Sequence, residues 1–223
     1  VGYTLLQLLT REQLDAIHTS ALEVLEGVGI KVYTEEALRV FRDAGAHVDE
    51  QGKLVRIPSH LVEDIRRKAP ESFTLGARDR ECDVLLQRGK TYTRPSTGFV
   101  NFLDIETGEW RRGDCSNVIA TARIVDYLRD IHINATHLLP FDVPVGINDV
   151  YSFKMVLENS RKHVVTSPLA LENLKWVYSM ARVIQDEHES RKRCLFSVLN
   201  CPKSPLTLRD DIIILCAEHR IPT

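Results

Sequence analysis

The sequence predicts an α/β protein, a partial (βα) TIM-type barrel preceded by a helical and β-hairpin N-terminal region. Three observations predict it. The first third repeats apolar residues at helical spacing between capping residues. At Ser72 the period shortens to strand-like runs split by turn-forming clusters. From Asp114 apolar runs of strand length alternate with helix-length segments, the pattern of parallel βα units. A doubly wound nucleotide-binding sheet should open on a glycine-rich turn, and neither G-x-G-x-x-G nor G-x-x-x-x-G-K-[ST] occurs. A βα barrel needs no such loop but needs eight strands. The chain supplies three βα units and the start of a fourth, so it reads as the first part of a barrel cut at Thr223. The expected domains are 1–112, helical and hairpin, and 113–223, the first βα units.

In order, Thr10-Arg-Glu-Gln13 is a capping box, and Leu14, Ile17, Ala21, Leu22, Leu25 and Val28 continue a helix to a stop at Gly29. "IKV" is a short strand. Thr34 caps a second helix to Ala44, with Gly45 behind it. "HVDEQGKLVRIP" turns at Gln51-Gly52 into a strand. Ser59 caps a third helix that ends before Pro70. "SFTLGAR", "CDVLLQ", "KTYTR" and "GFVNFLDI" are strand-like, and Ser72 to Arg112 reads as a β cap or ribbon. Asp114 caps a helix to Leu128. "IHINATHLL", "KHVVTSPL" and "CLFSVLN" are strands, separated by helices over 148–160 and 171–185. A last helix is predicted over Leu206 to Ala217, and "RIP" opens another strand.

Composition narrows the function. The 223 residues are 43% hydrophobic, enough for a real core. A net charge of −2 gives no electrostatic footprint for nucleic acid. No apolar run approaches the roughly 18 residues that span a bilayer. Val1 to Thr10 has neither a basic start nor a small-residue cleavage site, so no signal peptide is expected. Five scattered cysteines without a CxxC pair argue against a disulfide framework or a zinc site and for a reducing cytoplasm. Each reads as a small buried hydrophobe, with Cys201 the exception to watch.

Barrel chemistry sits at the C-terminal ends of the strands. Those ends carry Asn134, Thr136 and His137 with Asp142 in the following loop, then Thr166 and Ser167, then Asn200, Cys201 and Ser204. The groups are small, polar and mostly neutral, suited to hydrogen bonding rather than proton transfer. Each has a structural alternative. Ser204 and Thr207 read as caps of the next helix, Asn200 as a loop stabiliser, and His137 and His163 as surface or satisfied core residues. Cys201 would need a base to act as a nucleophile, and its neighbourhood offers Lys203 but no His. The turn Ser96-Thr97-Gly98 in "RPSTGFVNFLD" reads either as a lid or as a hairpin loop.

"LEVLEGVGIKVYTEEALRVFRDAGAHVD", "LVRIPSHLVEDIRRKAPESFTLGARD", "FVNFLDIETGEWRRGDCSNVIATARIVDYL" and "SPLTLRDD" followed by "IP" stand in the order found in a known family. Over nearly its whole length the sequence resembles the trimethylamine methyltransferase family. The resemblance implies a βα barrel with N-terminal additions. It also implies transfer of a methyl group from a tertiary or quaternary amine, or a betaine, to the cobalt of a corrinoid carried by a cognate partner protein. Archaeal members carry pyrrolysine in the barrel, many bacterial relatives lack it, and its position falls beyond Thr223. The family is longer than this chain, and the glycine-rich segment it carries after "IP" is absent here.

On this reading Ser167, Asn200, Ser204, Thr97 and Gly98 face substrate or corrinoid, no metal is bound directly, and the protein is a cytoplasmic homo-oligomer. Only 7% of residues are aromatic. No strand end carries Trp or Tyr, so a cage for a quaternary ammonium ion is expected largely from residues beyond this chain. Two alternatives stand beside the methyltransferase. One is a non-catalytic half-barrel acting through self-association or partner binding. The other is a different enzyme that shares only the fold.

Overall fold

A computed structural model describes residues 8–204 and 206–223. Most of the segment read for a signal peptide, and Pro205 in the "CPKSPL" turn, lie outside the described residues. The chain is a mixed α/β protein of helices and small sheets. It divides into two compact units, Val1–Glu71 with Cys201–Ile214, and Ser72–Asn200 with Leu215–Thr223.

In the first unit, α1 (Arg11–Gly27) begins at the expected capping box: Thr10 Oγ1 accepts from the Gln13 N–H, and the Gln13 side chain accepts from the Thr10 N–H. The helix ends at Gly29, whose φ of 83° suits a residue without Cβ. β1 (Ile30–Lys31) follows, and Thr34 caps α2 (Glu35–Asp43). β2 (His47–Asp49) and β3 (Leu54–Arg56) form the expected turn-linked pair, giving an antiparallel sheet of order β1-β3-β2. α3 (Ser59–Lys68) differs from expectation at its start. Ser59 does not cap it. Its N–H and hydroxyl both donate to the Glu26 carboxylate at the end of α1, a charged acceptor that outcompetes a backbone cap. Ile30, Val32, Ala37, Leu38, Ala46 and Val55 make the core of this unit, joined by Leu208 and Ile214.

The return segment corrects a second expectation. Helix was predicted from Leu206, yet Lys203 and Thr207 exchange backbone hydrogen bonds of 2.9 and 2.7 Å. Leu206 sits at φ 48° and its carbonyl accepts from Lys31, while Leu208 donates to the Lys31 carbonyl. Pairing with the β1 edge therefore holds this stretch out of the helix, and neither Ser204 nor Thr207 caps it. The helix starts at Asp210, whose carboxylate accepts the N–H groups of Tyr33 and Thr34.

The second unit opens with β4 (Ser72–Leu75) paired antiparallel to β5 (Val84–Gln87), then β6 (Asn101–Leu103) paired to β7 (Trp110–Arg112). These are the hairpins expected of Ser72 to Arg112. "KTYTR" is the exception. It joins no ladder; instead Tyr92 packs in a hydrophobic cluster and Thr93 bonds Asp130 and His132. Trp110 lies at the start of β7. Asp114 caps α4 (Cys115–Tyr127) in a second capping box, with Asn117. There follow β8 (Asn134–Ala135), α5 (Asn148–Asn159), β9 (Val164–Thr166), α6 (Leu171–Ile184), α7 (Glu187–Lys192), β10 (Phe196–Val198) and α8 (Asp210–His219). β8, β9 and β10 are each shorter than the apolar run that predicted it, and α7 had no sequence expectation. β8, β9 and β10 form one parallel sheet in chain order. After α8 the Val198 N–H donates to the Pro222 carbonyl at 2.9 Å, which lays the "RIP" segment against β10.

Alternation along the strands gives this sheet two faces. Asn134 bonds the Ala122 carbonyl of α4, and Phe196 meets Phe153 of α5 edge to face, so these residues face the helices. Ile133, Ala135, Val165 and Leu199 face the other way, where Leu75 and Val84 of the β4–β5 pair cover them. The close approach there is fixed by Gly76. Its N–H donates to the Cys194 carbonyl, and a Cβ at this position would lie 2.0 Å from the Arg193 carbonyl oxygen.

Candidate functional site

The strand ends expected to carry chemistry come together in the second unit. The Thr136 N–H donates to Val165 O at 2.9 Å, the Leu199 N–H donates to Thr166 O at 2.7 Å, and the Thr136 and Thr166 hydroxyls meet at 3.3 Å. Ser167 follows β9, half-buried, and its hydroxyl donates to Leu199 O at 3.3 Å. Asn200, also half-buried, is the second residue beyond β10.

The "RPSTG" segment joins the same end. The Gly98 N–H donates to Thr136 O at 3.0 Å, the Phe99 N–H donates to His137 O at 2.7 Å, and the Leu139 N–H donates to Phe99 O at 2.8 Å. Gly98 and Phe99 are thus stitched beside β8, with a parallel bridge between Phe99 and Leu138, and Thr97 directly precedes it. Gly98, at φ 78°, supplies the turn that the segment needs there. Ser204 belongs to the first unit, exposed in its return segment, and Cys201 is exposed in the same segment.

The stitching places an aromatic ring that sequence reading missed. Phe99 is 56% exposed and anchored by its backbone to the end of β8. Its ring is open to a cation, whereas the face of Phe141 is already taken by the Arg112 guanidinium at 4.4 Å. No strand-end pattern flags Phe99, because it precedes β8 by more than thirty residues.

The two histidines have opposite surroundings. His163 is fully buried at the start of β9, with Nδ1 2.8 Å from the Gly76 carbonyl and Nε2 2.9 Å from the Ser197 hydroxyl. A carbonyl only accepts, so Nδ1 carries the proton and Nε2 accepts from Ser197. Burial pushes the pKa of His163 down to about 4, so the ring is a neutral core residue, as one of its sequence readings had it. His137, at the end of β8, places Nδ1 2.9 Å from Ala135 O, but its buried Nε2 meets no partner among the described residues. Burial lowers its pKa as well.

At the opposite end of the sheet lies a cavity of about 480 Å3, lined in part by Cys82, Asp126, His132, Arg161 and Lys162. Arg161 pairs there with Asp126, and Lys162 donates to the carbonyls of Val125, Leu128 and Ile131, so both cations serve the fold. Among the described residues no helix is long and apolar enough to cross a membrane.

Fold and strand ends together define an α/β protein with neutral hydrogen-bonding groups gathered where parallel strands finish. Residues 2–219 match the family described as trimethylamine methyltransferase (MTTB). The chain is 35% identical over 221 residues to trimethylamine methyltransferase MttB of Desulfitobacterium hafniense, covering 95% of this chain and 43% of that protein. It is 31% identical over 227 residues to MttB of Methanosarcina thermophila, covering 97% of this chain and 47% of that protein. A glycine betaine methyltransferase of Desulfitobacterium hafniense is 30% identical over 158 residues, 70% of this chain and 32% of the relative. The chain belongs to the trimethylamine methyltransferase family, and it spans less than half the length of these curated relatives.

Proposed function

We propose that the intact protein is a methyltransferase that moves a methyl group from a methylated amine or betaine to the cobalt of a corrinoid held by a partner protein. On this proposal the present chain supplies the first βα units of a TIM-type barrel. The observation that carries the reading is the strand-end cluster. Thr97, Gly98, Phe99, Ser167 and Asn200 present hydrogen-bonding groups and an open aromatic face, with no carboxylate among them. Such a site suits a cationic methyl donor that must be held and oriented without proton transfer. The barrel reading is supported by the order of the sheet. Strands paired in chain order with helices between them are what a singly wound barrel requires, whereas a doubly wound sheet reverses direction.

The corrinoid, in its reduced state, supplies the nucleophilic cobalt. The residues of this chain do the rest of the work assigned to them here. Phe99 meets the cationic head, Ser167 and Asn200 orient it, and the stitched segment with Thr97 and Gly98 narrows the access of water. Ser204 belongs to the proposed set as a contact for the partner protein, consistent with its exposure. The same proposal has the intact protein act in the cytoplasm as a homo-oligomer.

The test mixes the intact protein with reduced cobalamin or the cognate corrinoid protein and offers trimethylamine and glycine betaine in turn. The loss of the Co(I) absorption with appearance of methyl-Co(III) on either donor supports the reading, and no methylation from any methylated amine or betaine overturns it. A second reading, self-association without catalysis, is favoured by one observation. The β6–β7 pair displays Ile105 at 90% and Trp110 at 70% exposure. A protein that forms stable oligomers yet never methylates a corrinoid would support this reading.

A further inference from the structure

We propose that His137 is a substrate-binding residue whose Nε2 lone pair accepts the N–H of a protonated methylated amine, so that the site favours a tertiary over a quaternary ammonium ion. The inference rests on the methyltransferase reading and sharpens its substrate class.

The first argument is the tautomer. Nδ1 lies 2.9 Å from Ala135 O, which can only accept, so Nδ1 carries the hydrogen and Nε2 is a bare acceptor. The second is that Nε2 is buried with no partner among the described residues. Buried polar atoms are nearly always paired, so a bare acceptor calls for a donor beyond the described residues, and a bound ligand can be that donor. The third is position. His137 is the second residue beyond β8, and its carbonyl ties down Phe99, the open aromatic ring of the site. The connection from β8 to α5 also ends on a similar atom: Asn148, 4% exposed, has a buried Oδ1 with no partner among the described residues. Two buried acceptors lacking donors, at the two ends of one connection, suit a ligand that donates hydrogen bonds and carries positive charge. They do not suit an anion.

The chemistry agrees. When a methyl group leaves a protonated tertiary amine, the C–N bond breaks, its electron pair stays on nitrogen, and the N–H is retained in a neutral amine. Loss of that proton beforehand would leave an amide anion as the leaving group. The His137 ring, held below its ordinary basicity by burial, can hold the ammonium proton without removing it.

The test measures binding of trimethylammonium and tetramethylammonium to the intact protein at neutral pH, for wild type, His137→Phe and His137→Gln. Trimethylammonium has an N–H and tetramethylammonium has none. The expected result is a loss of about tenfold for trimethylammonium in His137→Phe, with tetramethylammonium unchanged, and recovery to within about threefold in His137→Gln, which keeps an acceptor. Equal losses for both cations, or no loss for either, overturn the assignment. Independently of any variant, the Nε2 resonance in a 15N spectrum of the wild type should shift on adding trimethylammonium but not tetramethylammonium, and an unmoved resonance also overturns it. Failure of the wild type to bind either cation overturns this inference alone, because a betaine can still be the donor; the methyltransferase reading falls only if no methylated amine or betaine methylates the corrinoid. Binding of tetramethylammonium alone overturns only the role of His137.

Discussion

In the first unit α1 buries none of its residues, and its ends are set by signals a few residues away: the Thr10 box and the turn at Gly29. In the second unit α5 buries Asn148, Asp149, Ser152, Phe153, Met155, Val156 and Leu157, and has no side-chain cap at all. Asp149 accepts from Leu169 and Asn173 beyond β9, and Ser152 donates to Leu138 before the helix begins. α1 is set by local grammar, α5 by hydrogen bonds between residues far apart in sequence. The difference teaches where single substitutions should matter. Long-range partners are costly to break because the group left behind is buried, whereas local caps are exposed and cheap.

The comparison breaks first at Asp83. Its carboxylate accepts from the Ala77 N–H and pairs with Arg193, whose side chain is 12% exposed and also donates to Ala77 O. Burial alone would raise the Asp83 pKa, but the hydrogen bonds from Arg193 and Ala77 outweigh it and hold the group below its ordinary value. Asp83→Ala leaves a largely buried guanidinium with only Glu189 at 3.4 Å and the Ala77 carbonyl among the described residues, and should lower stability by about 3 kcal/mol, read as a shift in the urea midpoint.

His163 sharpens the same contrast through pH. Its folded pKa of about 4 lies below the ordinary 6.5, so protonation favours the unfolded chain. The contribution is complete above the unfolded value and is lost as pH falls from there toward 4. It amounts to about 3 kcal/mol over that window. Urea unfolding across the window should show this slope in the wild type and a flatter one in His163→Gln; equal slopes would refute the assignment.

Asp210 makes a long-range contact inside the first unit, as Ser59 does with Glu26 and Lys31 with 206–208. Its burial would raise the pKa, but hydrogen bonds from Thr34 and Tyr33 lower it overall. Asp210→Ala should cost about 2 kcal/mol, because two backbone N–H groups lose a charged acceptor. Thr10→Ala should cost only about 1 kcal/mol, and hydrogen exchange should place the change in the first turn of α1. A Thr10 effect as large as that of Asp83 would erase the contrast between local and long-range bonding.

The same division governs what the sequence revealed. The caps at Thr10, Thr34 and Asp114, the turns at Gly29 and Gly45, and the βα alternation from Asp114 onward were legible, because each rests on neighbours in the chain. The start of α8 was not, since pairing of 206–208 with Lys31 overrides local helix propensity. Ser59 failed as a cap for the same kind of reason, a carboxylate arriving from α1. At the candidate site the neutral strand-end groups were visible as residue types, and Ser167 and Asn200 sit where the pattern put them. Phe99 and the bare Nε2 of His137 were hidden. Both depend on the bridge between 98–99 and 136–139, and no periodicity announces it.

The central claim is that the strand ends of the second unit hold the methyl donor. Its most direct test is the rate at which the intact Asn200→Ala protein methylates the corrinoid from its best donor, with the urea midpoint measured alongside. The account predicts a fall of about tenfold or more at unchanged stability, equivalent to about 1.4 kcal/mol of lost transition-state binding. A rate equal to that of the wild type, in a protein equally stable, would contradict it.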